Sequence, residues 1–523
     1  MKLEIYDTTL REGEQSAAVS FTREDKIKII KALDSLGVSF IEAGMVTSEE
    51  DVSFFDKVAD LSLECAHPVA FGATCRPFER AEDCAALSML ARVKTDTVCI
   101  FGKSWDYQVD TVLGTTKEEN LRMIRDSISF LVSRNKTVFF DAEHFFDGYS
   151  DDSQYAIKVL ETAKEAGAER IILCDTNGGM LPDIIGLASA RIAKLFPGQV
   201  GIHCHNDLGM AEACTVSAVL SGAVQVQGTV SGIGERCGNA NINTLIPILQ
   251  LKLGFDCIGD RIASLTSTAR YINETANRTF DEKEPFVGGY AFTHKAGMHI
   301  DGVMKSPRTF EHVSPEAVGN LRNIVISSLS GRSAMADKMA KIYPHLDRNS
   351  PEVAIALESV RKKETAGYTY EDAEASLALV IKEALGMRKN YFDLLHFKVM
   401  TDEDAAGGES AFDKMRSTAL IKISVDEKEE LAAAEGNGPV NAMDKALRQV
   451  LSAFYPVIDN MKLTDFKVRV SSGGATASVV RVVIESTDGR SVWRTVGVSP
   501  DIINASWQAL RDSVEYMLDM NNL

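Results

Sequence analysis

From Leu3 to about Leu253 the chain alternates short strand-like apolar runs with segments in which apolar residues recur at helical spacing. The runs are Leu3 to Thr9, Ser39 to Met45, Pro68 to Thr74, Asp96 to Lys103, Thr137 to His144, Arg170 to Asn177, Gln199 to Asp207 and Ala223 to Gly232, eight in all. Between the first two, Thr22 to Leu36 places Ile27, Ile30, Leu33 and Leu36 on one helical face behind a threonine able to cap the start. Lys117 to Ser133, Asp152 to Ala166 and Asn241 to Leu253 are comparable. Eight βα units in about 250 residues match a closed (β/α)8 TIM barrel better than an open sheet, although right-handed βαβ units serve both architectures.

Past the barrel the pattern changes twice. From Phe255 to Gly386 it is mostly helical, with a polar loop at Asp281 to Gly289. Val353, Ile355, Leu357 and Val360 mark one amphipathic helix, and Tyr370 to Leu385 another. Asp402 to Ser410 reads as a flexible acidic loop. The last region holds a weak internal repeat, in which strand-like Ala419 to Val425 leads to Gly436 to Ala442 and a helix through Leu451. Ala477 to Glu485 and Ser491 to Val496 lead in the same way to Gly497 to Ala505 and a final helix. The expected division is a TIM barrel over 1–265, a helical linker or lid over 266–390, and an α+β domain with a two-fold repeat over 391–523. Glycines at the two helix entrances permit approach to an anion or carboxylate, though such turns are more often punctuation.

A barrel places its chemistry at the carboxyl ends of its strands. Read there, the chain offers Asp7 to Glu12, Glu42, Asp141 to His144, Asp175 to Asn177, His203 to His205, and Gly232 to Asn239. In a strand His203 and His205 point to one face and can hold one ion. A single histidine in an apolar run is more often a packed core residue. The pair, at the same mouth as Glu12 and Asn239, favours a divalent metal: Mg2+, Mn2+ or Zn2+, with Asn239 as a direct or water-mediated contributor. Such an ion chelates a 2-oxo acid and polarises its carbonyl. Arg11 is placed to stabilise charge on that oxygen, with a salt bridge to Glu42 or Asp7 as its structural alternative. Glu143 is a candidate acid/base and Thr176 a candidate carboxylate contact, each with an ordinary loop role as well. Gly232 to Gly238 follows the eighth strand and does not open a dinucleotide-binding half, which argues against a nicotinamide cofactor.

Composition narrows the function classes. A formal charge of −18 argues against a nucleic-acid surface and leaves anionic ligands dependent on local cations. Nine cysteines without a CxxC pair fit a reducing cytosol rather than a disulfide framework. Met1 to Ile5 runs into the first strand without a signal peptide's apolar stretch, and no run has the eighteen apolar residues of a membrane span, so a cytoplasmic enzyme is expected.

Asp7-Thr8-Thr9-Leu10-Arg11-Glu12-Gly13-Glu14-Gln15, His203-Cys204-His205-Asn206-Asp207 and Gly234-Glu235-Arg236-Cys237-Gly238-Asn239 resemble the signatures of the acetyl-CoA-dependent Claisen-condensing family of isopropylmalate, homocitrate and citramalate synthases. Ile100 to Asp106, Asp141 to Tyr149 and Cys174 to Gly179 are most similar to its citramalate-forming branch. The resemblance extends to Leu329-Ser330-Gly331-Arg332-Ser333 and to the C-terminal repeat, which is similar to the family's regulatory dimerisation domain.

The resemblance implies condensation of acetyl-CoA with pyruvate and water to citramalate and CoA, toward isoleucine. It implies metal ligation by Glu12, His203 and His205, oxyanion support from Arg11, and seating of the 2-oxo acid by Gln15 and Thr176. Glu143 and His299, the latter donated across a homodimer, would generate the enolate, and isoleucine would act as effector. The alternatives are a sister synthase using 2-oxoisovalerate or 2-oxoglutarate, a carbon-carbon lyase on the same barrel, and a catalytically silent amino-acid sensor.

Overall fold

Eight strands pair in parallel and in sequence order: β1 (Glu4–Asp7), β2 (Phe40–Met45), β3 (His67–Ala73), β4 (Thr97–Lys103), β5 (Thr137–Glu143), β6 (Arg170–Asp175), β7 (Val200–Cys204) and β8 (Gln225–Gly228). β8 returns to β1, with Glu4 opposite Gln225 and Asp7 opposite Gly228, so the sheet closes into a TIM barrel without a free edge. This computed structural model describes residues 2–17, 19–325, 332–340, 343, 345–347, 349–403, 415–470 and 479–521. Tyr6, Val69, Phe71, Cys99, Phe139, Ile172 and Cys174 fill the barrel interior, and a larger apolar layer joins the strands to the surrounding helices.

The helices begin where their caps dictate. Thr22 accepts from the Asp25 amide while Asp25 accepts from Thr22, a reciprocal capping box that starts the helix Arg23–Leu36. Asp152 caps Ser153–Glu165 through the Tyr155 amide. The strands stop earlier than the apolar runs suggest. Those runs extend to Thr9, Asn177, Asp207 and Gly232, whereas the ladder ends at Asp7, Asp175, Cys204 and Gly228. The surplus residues turn away because their side chains bind neighbouring backbone: both the Thr9 amide and hydroxyl donate to Asp7, and Asp175 accepts from the Gly179 and Met180 amides.

Other elements differ in detail. The expected helix from Asn241 to Leu253 is an α-helix Ile242–Pro247 that continues as a π-turn, Ile248–Lys252, at Pro247, which has no N–H to donate. In Pro351–Thr365, Val353, Ala356, Leu357 and Val360 are buried but Ile355 is exposed, because two residues past Val353 is the opposite side of a helix. The next helix spans Glu374–Ala384, starting after Tyr370.

The C-terminal repeat is fuller than the sequence pattern indicates. Each half is a three-stranded antiparallel sheet, Asp393–Glu403, Met415–Val425 and Lys428–Gly436 in one, Lys462–Val470, Val480–Thr487 and Val492–Ser499 in the other. Each is followed by a helix, Pro439–Leu451 or Ile502–Met520. At the second helix entrance a Cβ on Gly497 would collide with the Ala505 carbonyl oxygen, so this glycine serves close strand-to-helix packing. Residues 404–410, 329–331 and 477–478, parts of the acidic loop, the Leu329 to Ser333 motif and the second repeat, lie outside the described residues.

The chain forms two compact units, one comprising Met1–Phe292 with His312–Arg322, the other Thr293–Glu311 with Asn323–Leu523. Among the described residues no helix is long and apolar enough to cross a membrane.

Candidate active site at the barrel mouth

His203 is the fourth residue of β7 and His205 follows its end, so the pleat sends both rings inward, their Nε2 atoms 3.4 Å apart. Two nitrogens bound at about 2.0–2.1 Å to one tetrahedral ion stand about 3.3 Å apart, so the pair is spaced as two ligands of a single cation. Glu12, in the turn after β1, brings Oε1 to 3.9 Å from His203 Nε2. All three side chains are buried, and one ligand atom from each lies within 4.8 Å of the others.

Asn239 is brought beside His205 by a different device. His205 and Asn239 form an antiparallel bridge, and the Asn206 amide donates to the Gly238 carbonyl. Gly238 is left-handed (φ 91°), and a Cβ there would strike the Gly232 carbonyl oxygen, so only glycine allows the loop to fold back and present Asn239. The loop is anchored from behind by Glu284, which accepts from Ser231 (2.9 Å), Asn241 (2.7 Å) and Asn243 (2.9 Å).

Three atoms at this centre are buried with no hydrogen-bond partner among the described residues: Glu12 Oε2, His205 Nδ1 and Asn239 Oδ1. Leaving such groups unpaired costs about 1–3 kcal/mol each, and a divalent cation relieves the two oxygens. Burial lowers His203, and burial with the neighbouring His203 lowers His205 to about 4, so both rings are neutral and offer lone pairs. Burial pushes Glu12 up, but the adjacent Arg11 guanidinium, by its charge and its hydrogen bond, outweighs it and holds the carboxyl below its usual range. The donor set therefore fits a divalent metal.

Arg11 is fixed by its anions. Its Nε donates to Glu42 (2.6 Å), Nη1 pairs with Glu12, and the guanidinium lies 3.9 Å over the Phe71 ring. Burial disfavours its charge, but Glu12 and Glu42 more than restore it. The salt bridge to Glu42 is thus real, and it coexists with a position beside the candidate ligand Glu12. Glu143, at the end of β5, is ion-paired with Lys103 at 2.5 Å. Thr176 accepts from the His144 amide (2.8 Å), which leaves the hydroxyl proton to donate. Gln15 ends a short turn after Glu12 and is exposed. His299 belongs to the second unit, on the helix Gly297–Lys305, exposed and stacked on Phe310 at 4.3 Å.

The structure also gathers residues that the sequence reading did not single out. Phe71 and Phe101 stack at 5.6 Å beneath Arg11. Gln227 on β8 meets His203, and Asp141 meets Gln227. An alternating Gln225-Val226-Gln227 in an inward-facing strand was the available signal.

Residues 2–266 match the family model described as HMGL-like, 286–364 the homocitrate synthase post-HMGL domain-like model, and 371–518 the LeuA allosteric (dimerisation) domain. The chain is 44% identical over 521 residues to the (R)-citramalate synthase of Aquifex aeolicus, covering 99% of this chain and 98% of the relative. It is 44% identical over 519 residues to that of Geobacter sulfurreducens, covering 99% and 97%. At 30% identity, over 99% of this chain and 95% of the relative, stands a probable 2-isopropylmalate synthase of Methanosarcina acetivorans. Fold and matches together define an HMGL-like barrel carrying a homocitrate-synthase-type segment and a LeuA-type domain. Within that class, the chain belongs to the (R)-citramalate synthase family.

Proposed function

We propose that the chain is an acyltransferase that condenses acetyl-CoA with pyruvate and water, releasing citramalate and CoA. The observation that carries the chemistry is the buried triad Glu12, His203 and His205 beside Arg11, in which Glu12 Oε2 and His205 Nδ1 have no hydrogen-bond partner among the described residues. Full-length 44% identity to (R)-citramalate synthases supports pyruvate over larger 2-oxo acids.

In this reading Glu12, His203, His205 and Asn239 hold Mg2+, Mn2+ or Zn2+, which when bound polarises the 2-oxo carbonyl. Arg11, kept cationic and aimed by Glu42 and Glu12, donates to the oxygen as charge develops on it. Gln15 and the Thr176 hydroxyl hold the pyruvate carboxylate. Glu143 removes a methyl proton from acetyl-CoA, assisted by His299 donated across the homodimer, and the resulting carbanion attacks the pyruvate carbonyl carbon. Water then cleaves the thioester and frees the CoA thiol. Lys103 keeps the Glu143 carboxylate in place between uses.

The division of labour we assign is catalysis in 1–265, a linker or lid in 266–390 and regulation with homodimerisation in 391–523. Isoleucine is the assigned effector of the C-terminal repeat, and the route served is isoleucine synthesis in the cytoplasm. The LeuA allosteric (dimerisation) match over 371–518 supports both the regulatory and the dimeric role.

Thiol release from acetyl-CoA with Mn2+, across a panel of 2-oxo acids, tests the reading. Pyruvate should give a kcat/KM at least about tenfold above 2-oxoisovalerate and 2-oxoglutarate, the discrimination about 1.4 kcal/mol of pocket fit supplies. Isoleucine should lower the pyruvate rate. Preference for either rival would reassign the substrate, and an isoleucine-insensitive rate would remove that effector.

A further inference from the structure

Beneath the candidate metal centre a chain of side chains crosses the barrel interior on four strands. His203 Nδ1 on β7 lies 2.9 Å from Gln227 Oε1 on β8. Gln227 Nε2 lies 3.3 Å from Asp141 Oδ1 on β5. The Cys99 thiol on β4 also donates to Asp141 Oδ1, at 3.3 Å. Gln227 and Cys99 are fully buried, and His203 and Asp141 nearly so.

A glutamine amide is ambivalent, since rotation by half a turn exchanges its donor and acceptor ends. Here the ambiguity is removed from behind. A thiol next to a carboxylate donates, so Asp141 Oδ1 is an acceptor, and it takes the second donor from the Gln227 NH2. The amide oxygen must then face His203. An oxygen facing Nδ1 requires the proton on Nδ1, which leaves the Nε2 lone pair directed at His205 and Glu12. The opposite amide orientation would put the proton on Nε2, where it would block a cation.

We propose that Gln227 is a positioning residue, held by Asp141, that sets the His203 tautomer competent to bind the divalent ion. The inference rests on the reading of Glu12, His203 and His205 as ligands. Outer partners of ligating histidines typically govern metal affinity by about ten- to hundredfold.

The test is Mn2+ binding to the full-length chain, followed by isothermal titration and by the EPR signal of free Mn2+. Gln227→Met keeps the volume and removes the acceptor, and it should weaken Mn2+ binding by about ten- to hundredfold with an unchanged circular dichroism spectrum. Gln227→Glu should bind within about threefold of the parent, because a Glu protonated toward Asp141 still offers His203 an oxygen. Asp141→Asn, whose own amide no longer dictates the Gln227 orientation, should lose about two- to tenfold. A merely structural role would not be rescued by Glu while failing with Met. Parent-like Mn2+ affinity in both Gln227→Met and Asp141→Asn overturns the positioning role. Failure of the parent chain to bind Mn2+ overturns the ligand reading itself, and the role with it.

Discussion

His205 is held at about 4 by burial and by the adjacent His203, and His203 is lowered by burial as well. A proton and a cation compete for the same lone pair, so the depressed values widen the pH range of metal binding downward. Two ordinary imidazoles near 6.5 would each be about nine-tenths protonated at pH 5.5, cutting the competent fraction about a hundredfold. Here His205, at about 4, stays neutral at that pH, His203 is lowered in the same direction by burial, and Glu12 is held below the usual carboxylate range. Mn2+ affinity measured at pH 5.5 should therefore fall within about threefold of that at pH 7.5. A hundredfold drop would mean that the two rings titrate as solvent-exposed histidines do. At this scale the histidines were legible because alternation in a strand is a strong signal, and Glu12 because it ends the first strand's loop. Gln227 was not, since the alternation Gln225-Val226-Gln227 marks an inward-facing amide but not its partners across the barrel.

The loop from Val230 to Asn241 depends on Glu284, a residue some forty positions later in a polar segment that reads as connection. Ser231 in that loop is itself left-handed (φ 54°), a conformation that persists only when surrounding bonds enforce it. Asn273 on the helix Leu265–Thr275 adds another donor to Ser231, at 2.8 Å. Glu284→Gln keeps one oxygen for Asn241 and Asn243, which share Oε1, and puts NH2 where the Ser231 hydroxyl donates to Oε2. The expected cost is about 2–3 kcal/mol in urea unfolding, accompanied by weaker Mn2+ binding because Asn239 loses its support. Unchanged stability and affinity would show that the loop holds its shape without the carboxylate. The element pattern itself was readable where periodicity was strong: eight strands, and the helix Lys117–Ser133 at both ends. Strand ends, the π-turn at Pro247 and the extra strands Asp393–Glu403, Lys428–Gly436 and Lys462–Val470 were not. Local side-chain-to-backbone bonds set the strand ends and the missing N–H of Pro247 the π-turn, while the extra strands carry many charged residues, and short alternations such as Phe466 to Val470 do not show where a strand begins or what it pairs with.

For the whole molecule, a formal charge of −18 has to be reconciled with two anionic substrates. The local cations at the barrel mouth are Arg11, Lys103 and Arg236, each held by a carboxylate, the last by Asp207 at 2.9 Å. Fold class followed from the order of elements, since βα repetition and a barrel's bias toward its carboxyl-terminal face converge on one architecture. The separation into two compact units did not, because the segment Thr293–Glu311 leaves the first unit and His312–Arg322 returns to it. No local pattern announces such an excursion.

The barrel-mouth centre is expected to join an acetyl group to pyruvate. Acetyl-CoA labelled with 13C at both acetyl carbons, incubated with pyruvate, Mn2+ and the full chain, tests it in one 13C NMR spectrum. The expected product is citramalate with a coupled 13C pair in its CH2 and adjacent carboxylate, absent when the metal is chelated and in His203→Ala. Label confined to free acetate, or a coupled pair formed from 2-oxoisovalerate but not from pyruvate, would contradict it.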